Sequence, residues 1–171
     1  MSKAIGLNKI EYGTVGDGVP ASSFTELAES IVEGSFQFGN SEPSDQNLMT
    51  ETSDTPYHTV TSKDTPDYVE FALYAPSAAN LMVLMGGAVS SGEWSAPTTI
   101  PEINKTWKFT TSTVDGDYVE HLIVNGKTLA RFGQAPGKKQ SETVIVRVYV
   151  QAAITDAGVT NTPYKRTIVS T

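Results

Sequence analysis

Residues 53–87, SDTPYHTVTSKDTPDYVEFALYAPSAANLMVLMGG, decide the fold. Their first half is rich in Thr, Tyr and Val, which predicts a strand at Tyr57–Ser62. A second strand is predicted at Tyr68–Ala75, because Val69, Phe71 and Leu73 fall on alternate positions and so share one face. Two consecutive strands separated by a short polar turn indicate an antiparallel arrangement.

The end of the same stretch predicts a helix over about 77–86. Pro76-Ser77 is a typical start signal, and Gly86-Gly87 is a typical stop. Between them, Ala78, Leu81, Leu84 and Met85 form an apolar stripe at helical spacing. We expect this helix to cover one face or an open end of the β-structure.

Upstream lies a polar ribbon, Phe38–Asp67, between two apolar runs. It is too long for a hairpin turn, since most connections in compact domains span about 4–6 residues. Its centre is too rich in Thr, Tyr and Val for a flexible Gly/Ser linker. The sequence therefore predicts a long protruding loop or hairpin at about 40–66, ordered by contact with a neighbour.

Further strands are predicted downstream. Trp107, Phe109 and Thr111 alternate with polar residues, and Val144, Val146, Val148 and Val150 do the same within Thr143–Gln151. A turn at Asp115-Gly116 precedes a strand from Tyr118, residues 133–140 form a loop, and a last strand spans about Tyr164–Val169. Asn125-Gly126 either closes a tight hairpin or marks a bulge within one bent strand. A loop is expected around Trp94 and Pro97.

The first forty residues are less regular. Lys3–Tyr12 reads as a strand. Residues 24–31 are ambiguous, because Phe24, Leu27, Ala28 and Ile31 have helical spacing and Ser23 with Glu26 would make a capping box. The local pattern favours a short helix or turn there, followed by a strand from about Glu29 to Gly39.

These elements predict a mainly β fold, an antiparallel split β-barrel or sandwich with one short helix, as a single domain over residues 1–171. The chain has no Cys, which removes disulfides, thiolate zinc sites and cysteine nucleophiles. No apolar run is long enough for a membrane helix, and the start MSKAIGLNKIEYG lacks a signal-peptide core. We expect no membrane insertion.

Charge is unevenly distributed along the chain. Residues 11–62 carry nine carboxylates and no Lys or Arg, and residues 105–171 carry nine bases against five acids. The net charge of −7 argues against direct nucleic-acid binding. Halves of opposite sign would complement each other between copies, or the asymmetry disappears in three dimensions.

No motif supports catalysis or a cofactor. Gly126-Lys127-Thr128 lacks the upstream Gly and the helix of a phosphate loop, and Gly16-Asp17-Gly18 lacks the βαβ unit of a dinucleotide site. His58 and His121 lie in no ligand-spaced cluster, and we interpret both as ordinary strand residues. We expect no enzymatic activity, no metal and no cofactor.

Residues 36–87 resemble the phage major tail tube proteins, which share a fold with the haemolysin-coregulated tube protein of type VI secretion. The resemblance rests on a strand at Phe36–Phe38, the ribbon with its Glu-Pro, Asp and Thr residues, the following strands, and a short helix closed by Gly-Gly. The downstream order is similar too, with a Trp-Ser-Ala-Pro loop at 94–97, a Lys-containing amphipathic strand, a basic GKKQ loop and a valine strand.

This resemblance implies a split β-barrel whose copies close into hexameric rings by edge-to-edge strand pairing. The rings stack into a hollow tube that conducts DNA, with an acidic lumen and no specific DNA binding. It implies other tail proteins as partners (tape measure, sheath or terminator) and a place in the virion tail, assembled in the bacterial cytoplasm. It also favours loop-then-strand at 24–31 and a bulge at Asn125-Gly126.

We expect residues 41–66 to make the contact between subunits. The acidic contact candidates are Glu42, Asp45, Glu51 and Asp54, and the complementary bases are Lys138 and Lys139. The alternative for the two lysines is a solvated loop tip. The competing functional interpretations are an immunoglobulin-like binding or adhesion domain of a phage or bacterial surface assembly, and a small β-barrel enzyme or ligand carrier.

Overall fold

The computed structural model describes residues 5–170, and antiparallel strands dominate it. The strands are β1 (Ile5–Gly13), β2 (Thr25–Glu26), β3 (Gln37–Gly39), β4 (Ser44–Thr50), β5 (Ser53–Ser62), β6 (Tyr68–Tyr74), β7 (Ala88–Ser90), β8 (Glu93–Ser95), β9 (Ile103–Ser112), β10 (Asp117–Phe132), β11 (Thr143–Val150), β12 (Ala153–Ile154), β13 (Thr160–Asn161) and β14 (Tyr164–Ser170). A helix, α1 (Ala78–Met85), lies between β6 and β7. The fold is mainly β, as the sequence predicted.

One eight-stranded sheet holds the core. Its order is β2-β1-β9-β10-β11-β6-β3, and β14 pairs with the first half of β10. Every pair of neighbours is antiparallel. Alternation along β9 and β11 places Trp107 and Phe109 in one buried cluster with the valines of β11, and Phe71 of β6 packs against both aromatic rings.

The segment between β2 and β3 connects the two sides of this sheet. Next to β2, the Leu27 N–H donates to the Ile10 carbonyl at 2.8 Å, which extends the pairing with β1. Further on, Ile31 bridges to Leu73, and β3 pairs with β6. Because one segment pairs first with β1 and then with β6, the sheet curls around its core.

The predicted helix is confirmed. Ser77 is the N-cap and its side chain accepts from the Asn80 N–H, while Glu29 accepts from the Ser77 N–H at 2.8 Å and from the Asn80 amide at 2.6 Å. Leu81 and Leu84 of the apolar stripe are buried. The helix ends at Gly86, whose φ of 74° suits glycine.

Asn125-Gly126 is a bulge and not a hairpin turn. Strand β10 runs unbroken from Asp117 to Phe132, and its register against β9 shifts between Ile123 and Gly126. The shift lets the first half of β10 pair with β14 and the second half with β11. The turn at Asp115-Gly116 is confirmed, with positive φ at both residues.

Two local predictions were wrong, and an ambiguous one is resolved. Residues 24–31, which the sequence left open between helix and strand, contain no helix, because Thr25–Glu26 pairs with β1 as a short strand. The strand predicted from Glu29 to Gly39 is regular only at Gln37–Gly39, with Ile31 as an isolated bridge. The loop around Trp94 contains the small β7–β8 hairpin. The first strand is β1, and residues 3 and 4 of its predicted range lie outside the described residues.

Candidate self-assembly interface

The polar ribbon folds into a hairpin, which we call the arm (residues 44–62, strands β4 and β5). Every residue from Asp45 to Thr61 is exposed. Within residues 5–170, β4 and β5 pair only with each other. This confirms the predicted protruding hairpin and shows that no other part of the described chain covers it.

The two faces of the arm differ. On one face, cross-strand partners are polar: the Thr59 hydroxyl donates to Asn47 Oδ1 at 2.8 Å, and the Thr61 hydroxyl donates to Asp45 Oδ1 at 2.5 Å. The other face carries Leu48 and Val60. Near the tip, Met49 is 55% exposed and Tyr57 is 81% exposed, which are large values for such side chains.

The root of the arm is held by specific contacts. The Ser41 hydroxyl donates to the Thr65 carbonyl at 2.7 Å, so the two chains entering and leaving the arm lie side by side. Lys63 forms an ion pair with Asp67 at 2.8 Å. The Tyr68 ring lies directly over Gly39. The arm therefore leaves the sheet in a defined direction.

The predicted contact residues lie where an interface requires them to be, on the surface. Glu42 precedes the arm, and Asp45, Glu51 and Asp54 lie along it, all exposed. Lys138 and Lys139 form the exposed turn between Gly137 and Gln140, at the far end of the β10–β11 connection. We call this the basic turn. Among the ion pairs of residues 5–170, none joins these acids to these lysines, so their contact role remains a prediction.

Part of the charge asymmetry of the sequence cancels inside the fold. Lys108 lies 2.7 Å from Glu11, and Arg147 pairs with Glu70, so bases of the second half meet acids of the first. Burial alone would raise the pKa of the Glu11 carboxyl, but hydrogen bonds from Lys108 and Lys9 outweigh it and hold that pKa below its usual value. The acids of the arm have no such cationic neighbour among the described residues.

An apolar groove lies beside the C-terminal end of α1, and sequence reasoning missed it. We call it the α1 groove; it measures about 360 Å³, and Trp94, Ile100 and Leu129 line it. Ile100 is 91% exposed and Leu129 is 41% exposed. Phe132 packs edge-on against Trp94 at the end of the groove, with ring centroids 6.1 Å apart. The one sequence feature that could have indicated this groove is Ile100, an apolar residue in a loop rich in Thr and Pro.

A second cavity, of about 440 Å³, lies between β14 and the root of the arm. We call it the His121 cavity. His121 hydrogen-bonds through Nδ1 to the Tyr164 hydroxyl and packs against Phe38. Burial lowers the pKa of His121, and the nearby Arg166 charge lowers it further. Both histidines are strand residues, as expected, with His58 in β5 and His121 in β10.

The described residues contain no cluster of side chains that could hold a metal ion. None of their helices has the length and apolar character required to cross a membrane. Compared with family models and with curated proteins, the chain matches none.

Proposed function

We propose that this chain is a structural protomer that assembles with copies of itself into stacked rings, forming a phage tail tube. The observation that carries the proposal is the arm, a hairpin of which every residue from Asp45 to Thr61 is exposed. A two-stranded hairpin without a covering surface is marginally stable in water at best. This marginal stability favours a partner that covers the arm.

The chemistry of the arm favours a second copy as that partner. Residues 40–62 contain four acids and no base. The basic turn carries Lys138 and Lys139 on the same chain, and neither lysine takes part in an ion pair of the described residues. An acidic donor and a basic acceptor at different places on one surface generate head-to-tail contacts, which close into rings when the rotation between copies allows.

Unpaired strand edges support the same proposal. Strand β14 is bonded to β10 along one edge, and no strand of residues 5–170 pairs with its other edge. Monomeric proteins blunt such edges because they invite pairing with other chains. In a ring, edge-to-edge pairing between copies would satisfy these backbone groups.

The acidic bias suits a DNA conduit. Carboxylates on an inner wall repel phosphate, so DNA would pass without adhering. The proposal accordingly places the protein in the virion tail, assembled in the host cytoplasm with other tail proteins. Its function would be mechanical and electrostatic, without catalysis.

The test is electron microscopy of the concentrated protein beside an armless variant. Because Ser41 and Thr65 lie within hydrogen-bond distance, residues 42–64 can be replaced by a short Gly-Ser linker with little strain. No fully buried core residue lies in this range, so the variant should unfold at nearly the temperature of the parent protein. We expect rings or tubes from the parent protein and monomers from the variant.

Unchanged tubes from the armless variant would remove the proposed role of the arm. Monodisperse monomers of the parent protein under all concentrations would contradict the tube proposal itself. They would favour the interpretation as a monomeric binding domain of a surface assembly.

A further inference from the structure

We propose that the α1 groove is the surface that receives the arm of a neighbouring copy. The proposal rests on the self-assembly proposed above and adds the identity of the acceptor. It assigns Ile100, Leu129 and Trp94 as the apolar centre of the contact and the basic turn as part of its charged rim. Stable interfaces have this layout, an apolar centre enclosed by polar residues.

The acceptor is exposed, apolar and rigid. The Trp94 indole N–H donates to the Gly86 carbonyl at 2.8 Å, which fastens the β7–β8 hairpin to the end of α1. Pro101 packs so closely on Gly86 that a Cβ there would lie 2.6 Å from the proline ring. A preformed groove loses little conformational entropy when a partner enters.

Ile100 is the least buried large apolar side chain of the described residues, at 91% exposure. Scattered exposed apolar residues need no explanation, but Ile100 lies in one groove with Leu129 and Trp94. Such a cluster exposes apolar area that a partner would remove from water.

The arm carries exposed apolar side chains that could contact the apolar centre of the α1 groove. Met49 and Tyr57 lie on one face of the arm and Leu48 and Val60 on the other, and all four are exposed. Glu51 and Asp54 flank these apolar residues. Tyrosine is enriched among the residues that dominate binding energy, and Tyr57 is the most exposed aromatic side chain of the described residues.

The chain that continues from the groove offers bases to the acidic arm. Arg131 lies two residues after Leu129 on β10, and the chain continues through Phe132 into the loop that carries Lys138 and Lys139. An acidic arm approaching this end of the molecule meets three bases that form no ion pair within residues 5–170. Complementary charge fixes the orientation and speeds the encounter.

The His121 cavity is the rival acceptor, and it fits less well. It offers one cation, Arg166, and Asp67 on its wall is already paired with Lys63. Asn40 and Asp67 also place the root of the copy's own arm at its border. The experiment below compares the two sites directly.

The absence of Cys allows site-specific cross-linking without background. Thr50→Cys places a thiol at the tip of the arm, Thr99→Cys places one in the α1 groove, and Asn40→Cys places one at the His121 cavity. Differently tagged single-cysteine proteins are mixed, assembled and treated with a bismaleimide, which joins thiols without the strict geometry of a disulfide. We expect mixed dimers from the Thr50→Cys and Thr99→Cys pair only.

A substitution gives a second measurement. Ile100→Asp removes the apolar centre and places an acid opposite the acids of the arm, and its high exposure leaves folding unaffected. We expect the protein concentration needed for half-assembly to rise by about tenfold or more. Val159→Asp is the matched control, because Val159 is 57% exposed and lies outside the groove.

The outcomes separate the two proposals. Intact assembly with cross-links at Asn40→Cys, or with no effect of Ile100→Asp, would overturn the α1 groove as acceptor and leave the tube proposal standing. Failure of the parent protein to assemble at all would overturn both.

Discussion

His121 is a buried residue whose protonation the fold disfavours. It is 7% exposed, it is bonded to the Tyr164 hydroxyl, and Arg166 faces it from β14. Burial raises the pKa of Tyr164, so the phenol keeps its proton and both members of the pair are neutral near pH 7. The hydrogen bond therefore joins β14 to β10 with both groups neutral near pH 7.

This arrangement predicts an acid-sensitive stability. The pKa of His121 in the folded state is below its ordinary value of 6.5, so as the pH falls through 6.5 the unfolded chain binds a proton first. The free energy of unfolding should then decrease, by at most about 1.4 kcal/mol per pH unit, until the folded state also binds the proton. Urea denaturation at several pH values between 5 and 7.5 measures how the free energy of unfolding depends on pH.

His121→Gln is the control, because glutamine does not titrate and retains a polar group for Tyr164. The variant should lose most of the slope between pH 5 and 6.5. The paired carboxylates Glu11, Glu29 and Glu70 have lowered pKa values, so their contribution begins to fall at about pH 5 and is lost mainly below pH 4.5, mostly outside this range. An equal slope in both proteins would assign the acid sensitivity to another group.

At the scale of elements, the contact between α1 and the β7–β8 hairpin depends on a glycine pair. Gly86-Gly87 was predicted from the sequence as a helix stop, and Gly86 performs that role. Position 87 requires glycine for a different reason, which no local sequence pattern reveals. A Cβ at Gly87 would lie 2.1 Å from the Ser95 carbonyl oxygen, because β8 passes directly over it.

Gly87→Ala should therefore destabilise the protein by about 2–4 kcal/mol, combining left-handed backbone strain with the clash against Ser95. Gly92→Ala is the matched control, since Gly92 also has a positive φ, of 82°, but a Cβ there meets nothing within 4 Å. Gly92→Ala should lower the free energy of unfolding only by the backbone strain, about 1–2 kcal/mol. Thermal and chemical denaturation of both variants would measure the difference, and equal losses would contradict the close contact.

Elements that depend on local interactions could be predicted from the sequence, and elements that depend on long-range pairing could not. Helix α1 and strands β9 and β11 were predictable because capping signals and alternation are local. Residues 24–31 were not, because Thr25 and Glu26 take strand geometry from β1, and Ile31 from Leu73. Their helical spacing is a local preference that long-range pairing overrides.

At the scale of the whole molecule, the arm and the basic turn predict assembly that is sensitive to salt. Raising sodium chloride from about 0.05 M to about 0.5 M shortens the screening length roughly threefold. The concentration for half-assembly, followed by sedimentation, should rise severalfold. Unchanged or tighter assembly in high salt would mean that apolar burial alone drives association.

The mainly β class and the protruding hairpin were predictable from sequence, whereas the acceptor surface was not. The α1 groove joins residues from α1, the loop after β8 and β10. Lys138 and Lys139 were identified from their charge, but Ile100 and Leu129 acquire a common role only when the chain is folded. A site assembled from distant segments leaves no motif in any one of them.

The pairing of β1 with β9 has a consequence for synthesis of the protein. Tyr12 lies opposite Trp107, so about 100 residues must be translated before β1 meets β9, although β2 pairs with its other edge much earlier in the chain. At typical elongation rates this takes roughly 5 to 20 s, during which β1 waits on the ribosome with the edge that later pairs with β9 open. Nascent chains on crowded polysomes would be most vulnerable to mispairing in that interval, which makes chaperone supply and translation speed determinants of yield.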